Sequence, residues 1–546
     1  MTWQQIEAGE QLIQAEKGTV YKDWGGRLPI ALIFPNSYYL GMSSLALHTL
    51  YRLWNASDDI VCERVFVDPS AGDPAPPLSL ESGAPVDYFP VLAFSLTYEM
   101  DYFNLVGLLR AAGLPLRARE RDESHPLIIA GGPAVSANPE PLAPFLDAVL
   151  IGEIEPAFAA LTAALRCIYD GREAALEALS QVAGVYLPNP DETPAPGRPV
   201  VRQWLADLDR CPTHSTILTP NTEFSNMGLI EIARGCGRGC RFCLAGYAYR
   251  PPRERSVACI IEQARVLLAD TDRIGLVSAA VSDHSGIDVL ARQLRQLGAD
   301  ISVSSMRVDP PSTPLIRALA ESGTRTLTIA PEAGSERLRQ AINKTQTADD
   351  VLRAVDLAAH YGLAQVKLYF MIGLPTETEE DIQALVDLTL ACAQRFTGRV
   401  TANVTPFVPK AGTPFQRVAQ TRAKTLKKRL DYVDSKLRRQ AITVKSESPA
   451  WAEIQGGLAR GDRRVAEALL TVERVTPGNW KKALNEAGLS LQDLLRERAA
   501  GEPLPWDFIR SGIQEAHLRR EAQRAAVPRT TGPCQPADCV ACGVCQ

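Results

Sequence analysis

The chain has 546 residues, 46 % of them hydrophobic and 22 % charged, an ordinary globular make-up long enough for about three or four domains. Its 58 basic and 63 acidic residues leave a formal net charge of −5, which argues against a general nucleic-acid binder and a polybasic membrane-surface protein. The start lacks a basic segment leading into an apolar one, and no run of eighteen apolar residues occurs, so neither a signal peptide nor a membrane span is expected. The expected compartment is the cytoplasm, where thiols stay reduced.

Residues 1–25 read as a lead. Over 26–165, strand candidates LPIALIFP (28–35), VLAFSL (91–96), PLIIAGG (126–132) and AVLIG (148–152) alternate with helical stretches such as GMSSLALHTLYRL (41–53). That alternation predicts an α/β doubly wound domain, Rossmann or flavodoxin-like, on a parallel sheet. Residues 166–224 read as a linker and hairpin region, because YLPNPDETPAPGRP (186–199) is rich in proline and polar residues.

A second alternating series fills 225–420. Its strand candidates are LIEIAR (229–234), RIGLVS (273–278), ISVSSM (301–306), TLTIAP (326–331), QVKLYFMIG (365–373) and VTANVTPFVP (400–409). Six βα repeats over about 190 residues fall short of the roughly 250 of a closed eightfold barrel, so a partial (β/α)6 TIM-like barrel is expected. Residues 421–530 read as mainly helical and charged, and 531–546 as a cysteine-rich tail. The basic segment TRAKTLKKRLDYVDSKLRRQ (421–440) reads as a solvated helix with i,i+4 pairs; a nucleic-acid face is possible but not indicated. Trp451, Trp480 and Trp506 are expected in the core of this helical region.

Of the twelve cysteines, Cys62, Cys167, Cys211, Cys259 and Cys392 are scattered and read as small buried hydrophobes. The other seven form two clusters, which in a reducing compartment read as metal or redox sites. EIARGCGRGCRFCLAGYAYRPPRERS (231–256) places Cys236, Cys240 and Cys243 at Cys-x3-Cys-x2-Cys on a glycine-rich loop after a strand. Three thiolates are one short of saturating a cubane cluster, which leaves an iron open for a substrate or cofactor. The spacing does not suit a structural zinc site, which takes four ligands in pairs. The tail cysteines Cys534, Cys539, Cys542 and Cys545, spaced x4, x2 and x2, can close a metal site completely; a second iron–sulfur cluster and a zinc ion both fit.

The three-cysteine loop, with the aromatic Phe242 before its last cysteine, resembles the signature of the radical S-adenosylmethionine (radical SAM) superfamily. The resemblance implies a [4Fe–4S] cluster on Cys236, Cys240 and Cys243 whose open iron chelates S-adenosylmethionine (SAM). It also implies reductive cleavage of SAM to methionine and a 5′-deoxyadenosyl radical, and a reductant such as flavodoxin or ferredoxin. Four later segments resemble SAM-contacting parts of that superfamily and end successive strands, where βα barrels carry their active sites. In SAAVSDHSG (278–286), Ser282 and Asp283 are implied near the SAM amino group. In SSMRVDP (304–310), Arg307 is implied opposite the carboxylate. In APEAGSERLR (330–339), Glu332 is implied at the ribose or amino group. In YFMIGLPTETEED (369–381), Ile372 and Gly373 are implied beside adenine.

The first domain resembles the subgroup with a cobalamin-binding domain, through LIFPNSYYLGMSSLALHTLY (32–51), LAFSLTYEMDYFNLVGLL (92–109), IIAGGPAVSANPEPL (128–142) and VLIGEIEPAF (149–158). Gly131 and Gly132 would let a ligand's tail approach the backbone. The Asp-x-His-x-x-Gly motif that supplies a cobalt ligand is absent, and His48 reads as a packed surface histidine. The expected function is C–H functionalisation of a substrate that no motif identifies, as methyl transfer if cobalamin binds. Sulfur insertion of the methylthiotransferase kind is the alternative enzyme reading, and a non-catalytic iron–sulfur or cobalamin electron-transfer protein the alternative outside enzymes.

Overall fold

In the computed structural model, residues 3–68, 76–188, 199–309, 311–534, 536, 539 and 541–545 are described. Residues 189–198 of the expected linker, and Pro310 of SSMRVDP, lie outside them. The apolar run Leu28–Phe34 forms strand β1, buried at every position, as a strand covered on both faces requires. Its sheet adds β2 (Ile60–Phe66), β3 (Val91–Ser95), β4 (Leu127–Gly131), β5 (Ala148–Leu150) and β6 (Val185–Tyr186). The order is β2-β1-β3-β4-β5-β6, parallel except at β5–β6. This flavodoxin-like order reverses between β1 and β3, and such a reversal opens a ligand crevice at the carboxyl ends of the strands. β2 carries no clean apolar pattern, because Glu63 and Arg64 interrupt it. Arg64 is nonetheless buried, held by Glu16 at 2.7 Å and Glu81 at 2.6 Å. Through Glu16 it ties the N-terminal lead to the sheet. Residues 166–188 are not linker: the helix Arg172–Ser180 and the antiparallel edge strand β6 belong to this layer.

One face of the sheet is covered by the helices Leu45–Asn55, Phe158–Arg166 and Arg172–Ser180. The other is covered by Asp101–Ala111 and by three helices from far along the chain, Pro449–Arg460, Val465–Thr471 and Pro477–Glu486. The C-terminal helices thus complete the first domain rather than stand as a separate cap. Trp480 is fully buried there, edge-on to Phe103 at 5.2 Å. Trp506 is also buried, but Trp451 is 39 % exposed and is not a core residue.

The second sheet runs β7 (Gly228–Glu231), β8 (Arg273–Val277), β9 (Asp300–Val303), β10 (Thr326–Glu332), β11 (Gln365–Ile372), β12 (Arg399–Pro406) and β13 (Thr443–Ser446). Parallel ladders join β7–β8–β9 and β10 through β13, and a parallel bridge between Met306 and Ile329 links the two groups. The result is a partial barrel of strands in chain order, lined by one apolar core. β13 extends it past residue 420, the end expected from the sequence. TVKS is short, polar and largely exposed, so no apolar run announces it. The free edge of β7 is covered by residues 213–215, with Ser215 N donating to Leu229 O at 2.9 Å and Glu231 N to Thr213 O at 3.0 Å. The basic helix Ala423–Arg438 buries Leu426, Leu430, Val433 and Leu437 and turns its Lys427–Asp431 and Arg438–Asp434 pairs outward. Of the scattered cysteines, Cys62 and Cys392 are buried, whereas Cys167, Cys211 and Cys259 are only half-buried. Among the described residues, no helix is long and apolar enough to cross a membrane.

Candidate active site

The cysteine loop leaves β7 and is pinched at its neck, where Ala233–Arg234 pair antiparallel with Arg253–Glu254. Gly235 has φ +79°, and a Cβ there would sit 2.4 Å from Tyr249 O, so the neck admits only glycine. Asn343 Nδ2 donates to Arg238 O at 3.0 Å and Gly239 O at 3.1 Å, holding the loop crest. Arg241, fully buried, donates to Gln340 O, Ala341 O and Arg529 O and pairs with Glu521 at 3.1 Å. The three thiols therefore project from a segment held on several sides.

Cys236, Cys240 and Cys243 lie near enough to feel one another's charge. Burial, then the charge of Cys240, pushes the Cys243 thiol up to about 12. Burial likewise raises the Cys236 thiol. The N–H of Arg238 points at the Cys236 sulfur and that of Gly246 at the Cys243 sulfur, the polarity that iron-bound sulfur accepts. Among the described residues, no three His, Cys, Asp or Glu side chains already gather as a site for a single metal ion. Three thiols on one short loop, two of them facing backbone N–H groups, form a donor set that fits a cluster with one iron left open. Phe242 is partly buried against Ala333, Leu338 and Phe407.

The residues implied by the four barrel segments fall into two groups. Asp283, Arg307 and Glu332 come to the cysteines: Asp283 and Arg307 are within electrostatic reach of Cys236, Arg307 also of Cys240, and Glu332 of Cys243. Asp283 takes both forks of Arg238 at 2.7 Å. Arg307 gives one nitrogen to Asp309 at 2.8 Å, and its buried Nε has no partner among the described residues. Ser282 Oγ accepts from Arg307 N at 3.0 Å, bracing that strand end. Glu332, at φ +67°, accepts from Lys344 Nζ at 3.2 Å.

Ile372 and Gly373 stand differently from the expectation. Ile372 is fully buried in the barrel core and offers no free face. The space beside Gly373 is taken by Leu426, 2.7 Å from where a Cβ would be, and by Thr421, so its close approach is to the next helix. Arg238, Asn343 and Lys344 were not singled out in the sequence. Arg238 lies inside the Cys-x3-Cys spacing, but its partner Asp283 is 45 residues away, and Asn343 and Lys344 belong to no spaced motif.

A cavity of about 220 Å³ lies at the carboxyl ends of β1, β3, β4 and β5. It is lined by Leu32, Leu50, Trp54, Phe94 and Gly131, and closed on the barrel side by Glu231, Arg234 and Tyr249. Arg234 is shared by Glu153, Glu155 and Glu231, each at 2.8 Å. Burial would raise the Glu153 carboxyl, but Arg253 and Arg234 outweigh it and hold it below the usual range. A smaller cavity of about 90 Å³ continues toward Leu244, Tyr247 and Ala248 behind the cysteine loop. Gly132, Pro133, Gly152, Glu153 and Tyr249 line both. His48 is not at the surface. It is buried, with Nε2 on Met42 O at 3.0 Å and Nδ1 facing the N–H groups of Thr216 and Ile217, so both ring nitrogens are occupied.

Residues 230–389 match the family described as the radical SAM superfamily, and residues 46–188 match the one described as radical SAM proteins, N-terminal. An uncharacterized protein of Methanocaldococcus jannaschii is 33 % identical over 448 residues, covering 81 % of this chain and 90 % of its own. An uncharacterized methyltransferase of Pyrococcus horikoshii is 29 % identical over 276 residues, covering 47 % of this chain and 56 % of its own. Among solved structures, the cobalamin-dependent S-adenosylmethionine radical enzyme OxsB aligns with a TM-score of 0.48 at 12 % identity, over 92 % of this chain and 79 % of that one.

Proposed function

The chain belongs to the radical SAM superfamily, and from that premise we propose which residues carry the reaction and what the first sheet contributes. It is an enzyme that uses a [4Fe–4S] cluster and SAM and needs a reductant. When bound, the cluster supplies the electron that cleaves the SAM sulfonium, and the resulting 5′-deoxyadenosyl radical takes a hydrogen atom from the substrate.

Cys236, Cys240 and Cys243 would hold three irons of the cluster and leave the fourth open for SAM. Arg307 takes the SAM carboxylate: its unpartnered buried Nε, beside Cys240, carries this assignment. Asp283, fixed by Arg238, and Glu332, fixed by Lys344, receive the amino group and ribose. Burial around the loop keeps water from the radical.

The slot at the carboxyl ends of β1, β3, β4 and β5, lined by Leu32, Leu50, Trp54, Phe94 and Gly131, would hold the tail of a cobalamin, which would supply methyl-transfer chemistry there. The observation that favours this is the cavity itself, apolar at its walls, at the strand-order reversal, and continuous with the space behind Tyr247. With both His48 nitrogens engaged, this histidine does not ligate the cobalt. Methyl transfer to a carbon of the substrate would then be the reaction, with a further SAM as the source of the methyl group and a flavodoxin or ferredoxin as the source of the electron.

Anaerobic reconstitution with iron and sulfide, then dithionite and SAM, tests the assignment by 5′-deoxyadenosine release. Cys236→Ala, Cys240→Ala and Cys243→Ala each reduce release to background. Arg307→Gln raises the KM for SAM by about tenfold to a hundredfold, the worth of a charge-assisted hydrogen bond. Release that survives the cysteine changes overturns the reading. Added cobalamin is retained as a stoichiometric corrin band; no uptake removes cobalamin from the slot.

A further inference from the structure

We propose that Cys534, Cys539, Cys542 and Cys545 hold a second iron–sulfur cluster, seated on the loop of the first, and that it is the inlet for the electron the reaction consumes. The role, though not the site, rests on the reading of the Cys236 loop given above.

The tail is built onto that loop. Cys534 N donates to Gly237 O at 2.6 Å, immediately beside Cys236. Thr531 N donates to Asn343 Oδ1 at 2.7 Å, and the same asparagine holds Arg238 O and Gly239 O with its other end. One side chain thus clamps the tail and the loop crest together. On the tail's other flank, Gln514 N donates to Cys542 O at 2.8 Å, and Arg520 to Ala541 O at 3.1 Å.

The four cysteines fall within twelve residues, and the first of them lies against the catalytic loop: a Cβ added at Gly237, next to Cys236, would sit 3.8 Å from the Cys534 Cβ. A buried cation stands against them: Arg250, 5 % exposed, lies beside Cys542 and Cys534. A four-thiolate cluster carries net negative charge, and a buried guanidinium offsets it. Four thiolates leave no open iron, so such a cluster offers substrate no binding position and is suited to passing electrons. The exposure agrees. Cys542 is 1 % exposed and faces inward, whereas Cys545 is exposed. One side of the site meets solvent and a donor protein, and the other meets the loop that carries the catalytic cluster. Zinc would give neither the redox step nor a reason for this position. In each turnover the donor protein loses one electron, the tail cluster accepts it and hands it on, and the SAM sulfonium takes it as the carbon–sulfur bond breaks.

The test uses the full chain, purified without oxygen. Wild type carries about eight irons and eight sulfides, and both Cys236→Ala/Cys240→Ala/Cys243→Ala and Cys539→Ala/Cys542→Ala carry about four. The cluster left in the triple variant gives a reduced EPR signal that SAM does not shift. The rate of 5′-deoxyadenosine release with reduced flavodoxin, divided by the rate with dithionite, falls at least tenfold in Cys539→Ala/Cys542→Ala. Where that double variant does not fold, Cys545→Ser at the exposed position replaces it. Zinc or no metal in the triple variant, a SAM-dependent signal there, or an unchanged rate ratio overturns the proposal. If the cluster left in the double variant ignores SAM, the reading of the Cys236 loop fails instead, and the iron count of the triple variant still judges the tail.

Discussion

Gly131 and Gly132 are adjacent glycines held by different constraints. Gly132 has φ +111°, and a Cβ there would lie 2.4 Å from Leu96 O. Gly131 has no atom nearer than Leu150 O at 3.9 Å and lines the large cavity. Gly132→Ala therefore costs stability, by about 2–4 kcal/mol, while Gly131→Ala stays within about 1 kcal/mol and only narrows the slot. Urea midpoints check this, and equal losses at both positions would refute it. Asp101 gives a pH-dependent case. Burial pushes its carboxyl up to about 6, against hydrogen bonds from Asn36 and Asn104. A folded value above the unfolded one means that the unfolded chain releases this proton first. Stability from this group is full below pH about 3.8, falls as pH rises toward about 6, and is flat above. Asp101→Asn keeps the acceptor and removes the charge. It stabilises by about 1–3 kcal/mol at pH 7.5 and by little at pH 4. A variant whose urea midpoint advantage is the same at both pH values contradicts the account. The clustered thiols were legible in the sequence because their signal lies in short spacing. Asn343 was not: its role depends on a carbonyl 105 residues away.

At the scale of elements, what could be read depended on whether a segment's apolar pattern was its own. β1, β3 and β4 are continuous apolar runs, and β8 and β11 follow helices whose apolar stripes face them, so their alternation showed the two parallel sheets. β2 hides because the Arg64 pairs with Glu16 and Glu81 neutralise charges that ordinarily mark a surface. β13 hides because a polar edge strand needs only backbone pairing, here Thr401 through Val404 with Thr443 through Ser446. The helix Pro477–Glu486 was legible as a helix but not in its partner. Its Trp480 packs on Phe103, on a helix that begins far upstream, and no local pattern encodes that meeting. The same limit applies at the site: barrel-end segments could be placed by their order after strands, but the burial of Ile372 in the barrel core and the approach of Leu426 to Gly373 depend on the assembled barrel.

At the scale of the whole molecule, the chain closes on itself. Every strand of both large sheets is complete by Ser446, yet the first sheet still lacks half of one covering layer. Ile454, Leu458, Val465, Leu469, Trp480 and Leu484 supply it, packed on Val106, Leu109 and their neighbours. Farther on, Trp506 donates to Gln416 at 2.8 Å, and Glu521 neutralises the fully buried Arg241 of the cysteine loop. Removing a buried ion-pair partner costs about 3–5 kcal/mol, and uncovering an apolar face of this size costs more. A chain ending at residue 447 therefore keeps every strand of both large sheets but exposes the Val106 face and leaves Arg241 without its carboxylate. It is expected to bind a hydrophobic dye, to lose near-ultraviolet circular dichroism while keeping far-ultraviolet signal, and to retain little iron on the Cys236 loop. Co-expression with residues 448–546 restores all three, because the missing layer meets its partner through side-chain packing rather than through chain connection. A truncated chain that stays soluble, excludes the dye and assembles its cluster would show that the two domains stand without the C-terminal helices, and that the Arg241–Glu521 pair does not hold the loop.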